Sequence, residues 1–145
     1  MTAIQLIQII TGTIGSLCFG VLFNVRDKRL FAVALGGFIA SALYVLFGML
    51  IESEPIVYLI VAAIVATYSE IAARVIKTPA TPITITALIP LIPGGSLYYT
   101  MAYAFESDFN TFLDKAVSTL LLAAALALGI IIATAVSRGC FRKTK

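Results

Sequence analysis

The sequence predicts an all-α integral membrane protein. It reads as a single transmembrane domain over residues 1–145 with about five transmembrane helices, the fourth broken at a Pro-Gly motif. Three observations carry this. The chain is 61% hydrophobic and 12% charged, with a mean hydropathy of +1.06, where soluble domains run at about 45–50% apolar and about 25% charged. Five apolar runs of near-spanning length are separated by short charged breaks. The fourth run is interrupted by Pro90, Pro93, Gly94 and Gly95.

The first run, 4–23, has no basic leader and no small-residue cleavage pattern, so it is expected to be a retained span. Gly12, Ser16 and Gly20 line one of its faces. The second run, 30–51, carries Gly36 with Ala40 and Gly37 with Ser41. The third, 56–76, is apolar until Glu70, Arg74 and Lys77, whose i, i+4, i+7 spacing puts them on one helix face. The fourth, 83–105, is preceded by Pro79 and Pro82, which delay the expected helix start to near Ile83 and make its first half very short. The fifth, 116–137, repeats small residues at Ala125, Gly129, Ala133 and Ser137. Such stripes let helix backbones approach closely in lipid. Packing within the chain is the favoured use, with a subunit interface as the alternative.

Charge alternates from break to break. Arg26, Lys28 and Arg29 occupy the first, Arg74 and Lys77 flank the third, and Arg138, Arg142, Lys143 and Lys145 form the tail. Glu52 and Glu54 occupy the second break; Glu106, Asp108 and Asp114, with Lys115, occupy the fourth. The positive-inside rule then predicts an outer N-terminus and a cytoplasmic C-terminus, an arrangement that nine of the ten cations fit.

Several function classes are excluded. There is no His, so no imidazole-based triad and no His-built zinc site. Cys18 and Cys140 suggest neither a disulfide nor a metal centre. No phosphate-binding loop is present, and no cofactor is expected. The cations gather beside apolar segments rather than on one face, which argues against nucleic acid and for lipid contact.

Two places carry candidate chemistry. Glu70 lies about 10 Å along the helix from Lys77, inside the hydrocarbon, where carboxylates are costly and line ion or substrate paths. Its pairing with Arg74 reads equally as a staple at the helix end or as a gate. Asn24 closes the first span, as a cap or as a group reaching a cavity. The second place is the break, where Pro93, Gly94, Gly95, Ser96 and Tyr98 form the candidate substrate-binding set. A half-helix starting near Ser96 would offer free N–H groups and a positive dipole end to a carboxylate. A kinked helix covered by its neighbours is the plainer alternative.

These residues resemble the threonine/serine exporter family, in its C-terminal half. The resembling stretches are residues 19–25 (FGVLFNV), the Gly36-Gly37 pair, Glu70 with Ala73-Arg74, residues 77–81 (KTPAT), residues 89–98 (IPLIPGGSLY) and Met101. The resemblance implies a non-enzymatic, secondary-active exporter of small amino acids or small dicarboxylates in a bacterial-type inner membrane. It also implies a second membrane subunit resembling the N-terminal half, with a homo-oligomer as the alternative. Five spans per half place the two halves in opposite orientations, as in inverted-repeat transporters. The competing function is an accessory membrane subunit that never contacts substrate. A membrane enzyme lacks any recognisable nucleophile–base pair here.

Overall fold

The computed structural model describes residues 3–105 and 109–142, without the side chains of 138 and 140–142. Glu106, Asp108, Lys143 and Lys145 lie outside the described residues. The order is α1 (Ala3–Leu22), α2 (Lys28–Leu50), α3 (Glu54–Ile76), α4 (Ala80–Leu88), a 3₁₀ turn over Ile89–Leu91, α5 (Gly94–Phe105) and α6 (Phe109–Arg142). Among the described residues there is no strand. In hydrocarbon the backbone must satisfy its own hydrogen bonds, which leaves helices as the solution for apolar runs of this length. α1, α2, α3 and residues 109–137 of α6 are each long and apolar enough to cross a membrane, and α4 with α5 passes as a bent pair.

Helix ends follow from local chemistry. Val25 N–H donates to Gly20 C=O (2.9 Å) and Asn24 N–H to Val21 C=O (3.0 Å), with Asn24 at φ 57°. This is a Schellman close, and it gives Asn24 a capping role. α3 ends in the same way: Thr78 N–H reaches Ala73 C=O (2.9 Å), Lys77 N–H reaches Arg74 C=O (3.2 Å), and Lys77 sits at φ 56°. Lys77 is therefore off the helix and does not continue the face of Glu70 and Arg74, contrary to the i, i+7 expectation. α4 begins at Ala80 rather than near Ile83. Pro82 falls in its first turn, where backbone N–H groups lack helical acceptors, so the missing donor forfeits no bond.

The break is built by two prolines that cannot donate. The helix tightens into the 3₁₀ turn, Ile92 N–H reaching Ile89 C=O (3.1 Å), and Gly94 N–H then closes on Ile92 C=O (2.7 Å). The axis bends by 58° and α5 restarts at Gly94, ahead of Ser96.

Contacts fix the direction of each helix. Along α1 and α2, Gly12 faces Ser41, Ser16 faces Gly37 and Gly20 faces Val33, an antiparallel pair. Between α2 and α3, Tyr68 Oη donates to Ala32 C=O (3.0 Å) and Tyr44 Oη to Glu54 (3.2 Å), again antiparallel. Between α3 and α6, Gly129 lies against Leu59 and Ala62, while Ser137 bonds Glu70 (3.4 Å). Those two helices run parallel and in register. The chain between them must therefore return to the side on which α3 began, so α4 with α5 crosses the membrane rather than dipping into it.

The core lies between α2, α3, α4 and α6, with Ala40, Val57, Val61, Val65, Ala87, Leu88, Leu91 and Leu122 buried. α1 covers α2, α4 and the 3₁₀ turn; α5 packs chiefly on α6. Of α5 only Thr100 is buried, its hydroxyl 3.1 Å from that of Thr119. The glycine stripes are thus consumed inside the chain. Gly36 admits Ala87 and Tyr68, and Gly129 admits the α3 backbone.

These close approaches can be tested by size. A Cβ at Gly129 would stand 2.5 Å from Leu59 carbonyl oxygen and 2.8 Å from Ala62 Cβ. Gly129→Ala should destabilise the fold by about 1–3 kcal/mol in thermal unfolding in detergent. Gly12→Ala should destabilise as well and recover when Ser41→Gly vacates the space. Gly48→Ala, where an added Cβ meets no described atom within 4 Å, should change nothing.

Candidate functional site

A cavity of about 310 Å³ opens between α3, α4 and α6. Glu70, Thr81, Thr84 and Thr134 supply its polar lining, and Leu88, Ile92, Leu126 and Ile130 its apolar wall. It runs from Glu70 at the basic end to Ile92 at the break. At its mouth Glu70 Oε2 lies 3.6 Å from Arg74 Nη2, and Ser137 Oγ bridges both, donating to Glu70 Oε2 (3.4 Å) and accepting from Arg74 Nη2 (3.5 Å). The pair forms because i, i+4 spacing stacks the two side chains on α3, and Ser137 arrives because α6 is parallel and in register. Glu70 is 19% exposed and Arg74 42%. The guanidinium, within a turn of the helix end, reaches outward along its apolar stem.

A second cavity, about 300 Å³, lies in the opposite half of the span between α1, α2 and the 3₁₀ turn. Gln8, Thr11, Ser41 and Tyr44 line it, together with Ile89, Pro90 and Leu91. Leu88 and Ile92 face the first cavity while Ile89 to Leu91 face the second, so the break is the wall between them. Leu88 and Leu91 are buried in that wall.

α5 starts immediately beyond Ile92. Gly94 and Gly95 are exposed, neither has positive φ, and a Cβ on either would meet no described atom within 4 Å. Among the described residues nothing demands glycine at either position. Gly94 N–H is used in the turn and Leu97 N–H by Pro93 C=O (3.0 Å). The N–H groups of Gly95 and Ser96, in the first turn, point where no helical acceptor exists. Tyr98 and Tyr99 are exposed, their rings edge-to-face at 5.5 Å.

The structure thus brings Glu70, with Arg74 bonded to it, to one end of a cavity that reaches Ile92 at the other; Pro93, Gly94, Gly95, Ser96 and Tyr98 follow in the chain and do not line it. Asn24 is not part of it; it lines a separate pocket with Arg26 and Lys28. Ser137 and Thr134 join the site although the sequence marks Ser137 only as a small residue in a stripe. Their signal is weak because the register of α6 on α3 is a tertiary property. Among the described residues no cluster could hold a metal ion.

A family model described as Threonine/Serine exporter, ThrE, matches residues 8–136. No curated protein and no solved structure matches the chain.

The exposure of Arg74 makes Glu70 a clean position to alter. Arg74 retains Ser137 when the carboxylate is lost, and its guanidinium lies within a turn of the helix end. Glu70→Gln should unfold in detergent close to the wild-type temperature. A large drop would show instead that the carboxylate holds α3 and α6 together.

Proposed function

The chain belongs to the threonine/serine exporter family, and on that premise we propose that it is one subunit of a secondary-active exporter of small carboxylate-bearing metabolites. The substrates in this reading are threonine- or serine-type amino acids or small dicarboxylates. The carrying observation is the broken span, whose 3₁₀ turn is the wall between two cavities in opposite halves of the membrane. A chain that moved solute would need such a wall and a way to shift it, and a bent helix with two prolines is a hinge of that kind.

Substrate enters the Glu70 cavity from the basic, cytoplasmic end. The Glu70–Arg74–Ser137 cluster gates that mouth, its charges exchanging partners as the solute passes. The solute carboxylate docks on the N–H groups of Gly95 and Ser96, favoured by the positive end of α5, with the Ser96 and Tyr98 hydroxyls as further contacts. Pro93 keeps those donors unused by fixing the restart of the helix. Movement of the Ile89–Leu91 wall then exposes the solute to the outer cavity. A second membrane subunit covers α5 and completes the site, which the open face around Gly94 and Gly95 and the single-sided packing of α5 support.

Gly95→Ala separates this role from folding, because the methyl group meets no described atom within 4 Å. The variant should unfold as wild type does, while export of labelled substrate from cells carrying both subunits falls by roughly tenfold or more. The methyl group would hold the carboxylate off the N–H groups and forfeit one charge-assisted hydrogen bond of about 1.5–3 kcal/mol. Glu70→Gln should reduce export as well, and the chain alone should export little. Wild-type export by both variants would make the chain an accessory subunit. Full export by the chain alone would remove the partner.

Orientation has its own measurement. Cysteines placed at Ser53 and Lys143 should label from opposite sides, Ser53 from outside. Labelling from one side would overturn the five-span, N-out reading.

A further inference from the structure

Away from both cavities, the basic end of α2 and α3 carries a trough with two contrasting parts. The first is a polar pocket of about 420 Å³ formed by Asn24, Arg26, Asp27, Lys28 and Arg29 with Ile76. The second is an apolar groove of about 400 Å³ between Phe31 and Leu35 of α2 and Tyr68, Ala72 and Val75 of α3. They are continuous, because Lys28 and Ile76 border both. Arg26, Lys28 and Arg29 are exposed, and among the described residues none forms an ion pair. One carboxylate, Asp27, faces three cations. The backbone holds them at the mouth: Arg29 N–H donates to Arg26 C=O (3.3 Å) across a turn with Asp27 at φ 58°.

The groove follows the helices for about 10 Å from Lys28 to Leu35. Its floor is the Tyr68 ring, anchored by the bond to Ala32 C=O (3.0 Å) and packed on Gly36. Phe31 and Val75, 73% and 78% exposed, stand as its rims. A free inorganic anion would match the pocket but not the groove. A neutral lipid would match the groove but gain nothing from three cations at its mouth. Headgroup charge next to an acyl-chain slot fits one class of occupant.

We propose that this trough binds one anionic phospholipid from the leaflet at the basic end. Its phosphate sits among Arg26, Lys28 and Arg29, and one acyl chain lies between Phe31, Leu35 and Val75 over Tyr68. The site stands on the membrane-spanning fold and not on the export reading. Juxtamembrane cations attract anionic headgroups, and the selectivity comes from the charge, since the surrounding bilayer offers every lipid an equally apolar slot.

Native mass spectrometry of the detergent-purified full chain, titrated with phosphatidylglycerol or phosphatidylcholine, tests this. Wild type should retain phosphatidylglycerol over phosphatidylcholine by about tenfold or more. Lys28→Ala with Arg29→Ala should bring the anionic lipid down to the zwitterionic level. Ala72→Phe, which fills the groove and leaves every charge in place, should lower occupancy by both lipids; it decides the matter if the charge variant does not accumulate. Equal retention of the two lipids by wild type, or unchanged phosphatidylglycerol binding in Ala72→Phe, would overturn the proposal. Displacement of the lipid by equimolar glycerol phosphate would do the same, because the phosphate alone would then suffice.

Discussion

Hydrocarbon offers no partner to a backbone group, and this one constraint shapes the chain around its fourth span. Pro90 and Pro93 remove two donors in mid-membrane. The 3₁₀ turn and the Gly94–Ile92 closure recover part of the loss locally. The rest is covered by neighbours brought unusually near. Gly36 lets Ala87 pack at the α2 backbone, and α1 lies over the turn itself. Gly12 and Gly36 therefore serve the proline break, one admitting Pro90 and the other Ala87.

Much of this was legible in the sequence, where the relevant signals are local. Apolar run lengths gave the helices, and the spacing of Pro90, Pro93, Gly94 and Gly95 marked the break. Asn24 and the i, i+4 pair of Glu70 and Arg74 read as they stand. What was not legible is relational. Lys77 leaves the Glu70 face because a Schellman close places it in the left-handed region, which composition does not signal for a lysine. Pro82 is harmless because of its rank in the first turn, not its identity. Ser137 becomes a bridging hydroxyl only through the parallel register of α6 on α3. Gly94 and Gly95 mark the break in the sequence, but that no described atom stands within 4 Å of a Cβ at either is again a tertiary property.

That emptiness and the packing elsewhere point in opposite directions. Gly12, Gly36, Gly37 and Gly129 are each filled by a neighbour of the same chain. Gly94 and Gly95 are filled by none of the described residues. The interior of the domain is thus filled on the side of α1 to α4, whereas α5 packs chiefly on α6. The two cavities lie within the filled part, and the free helix start lies at its edge. An asymmetric division of this kind separates the residues that make the fold from those that meet something beyond it.

The left-handed Lys77 has a consequence for how the protein is made. A lysine in that conformation sacrifices about 1–2 kcal/mol that glycine would not. Under the proposed N-out orientation the ammonium group stands at the cytoplasmic end of α3, where the positive-inside rule favours a cation during insertion. A glycine here would relieve the strain and remove that charge.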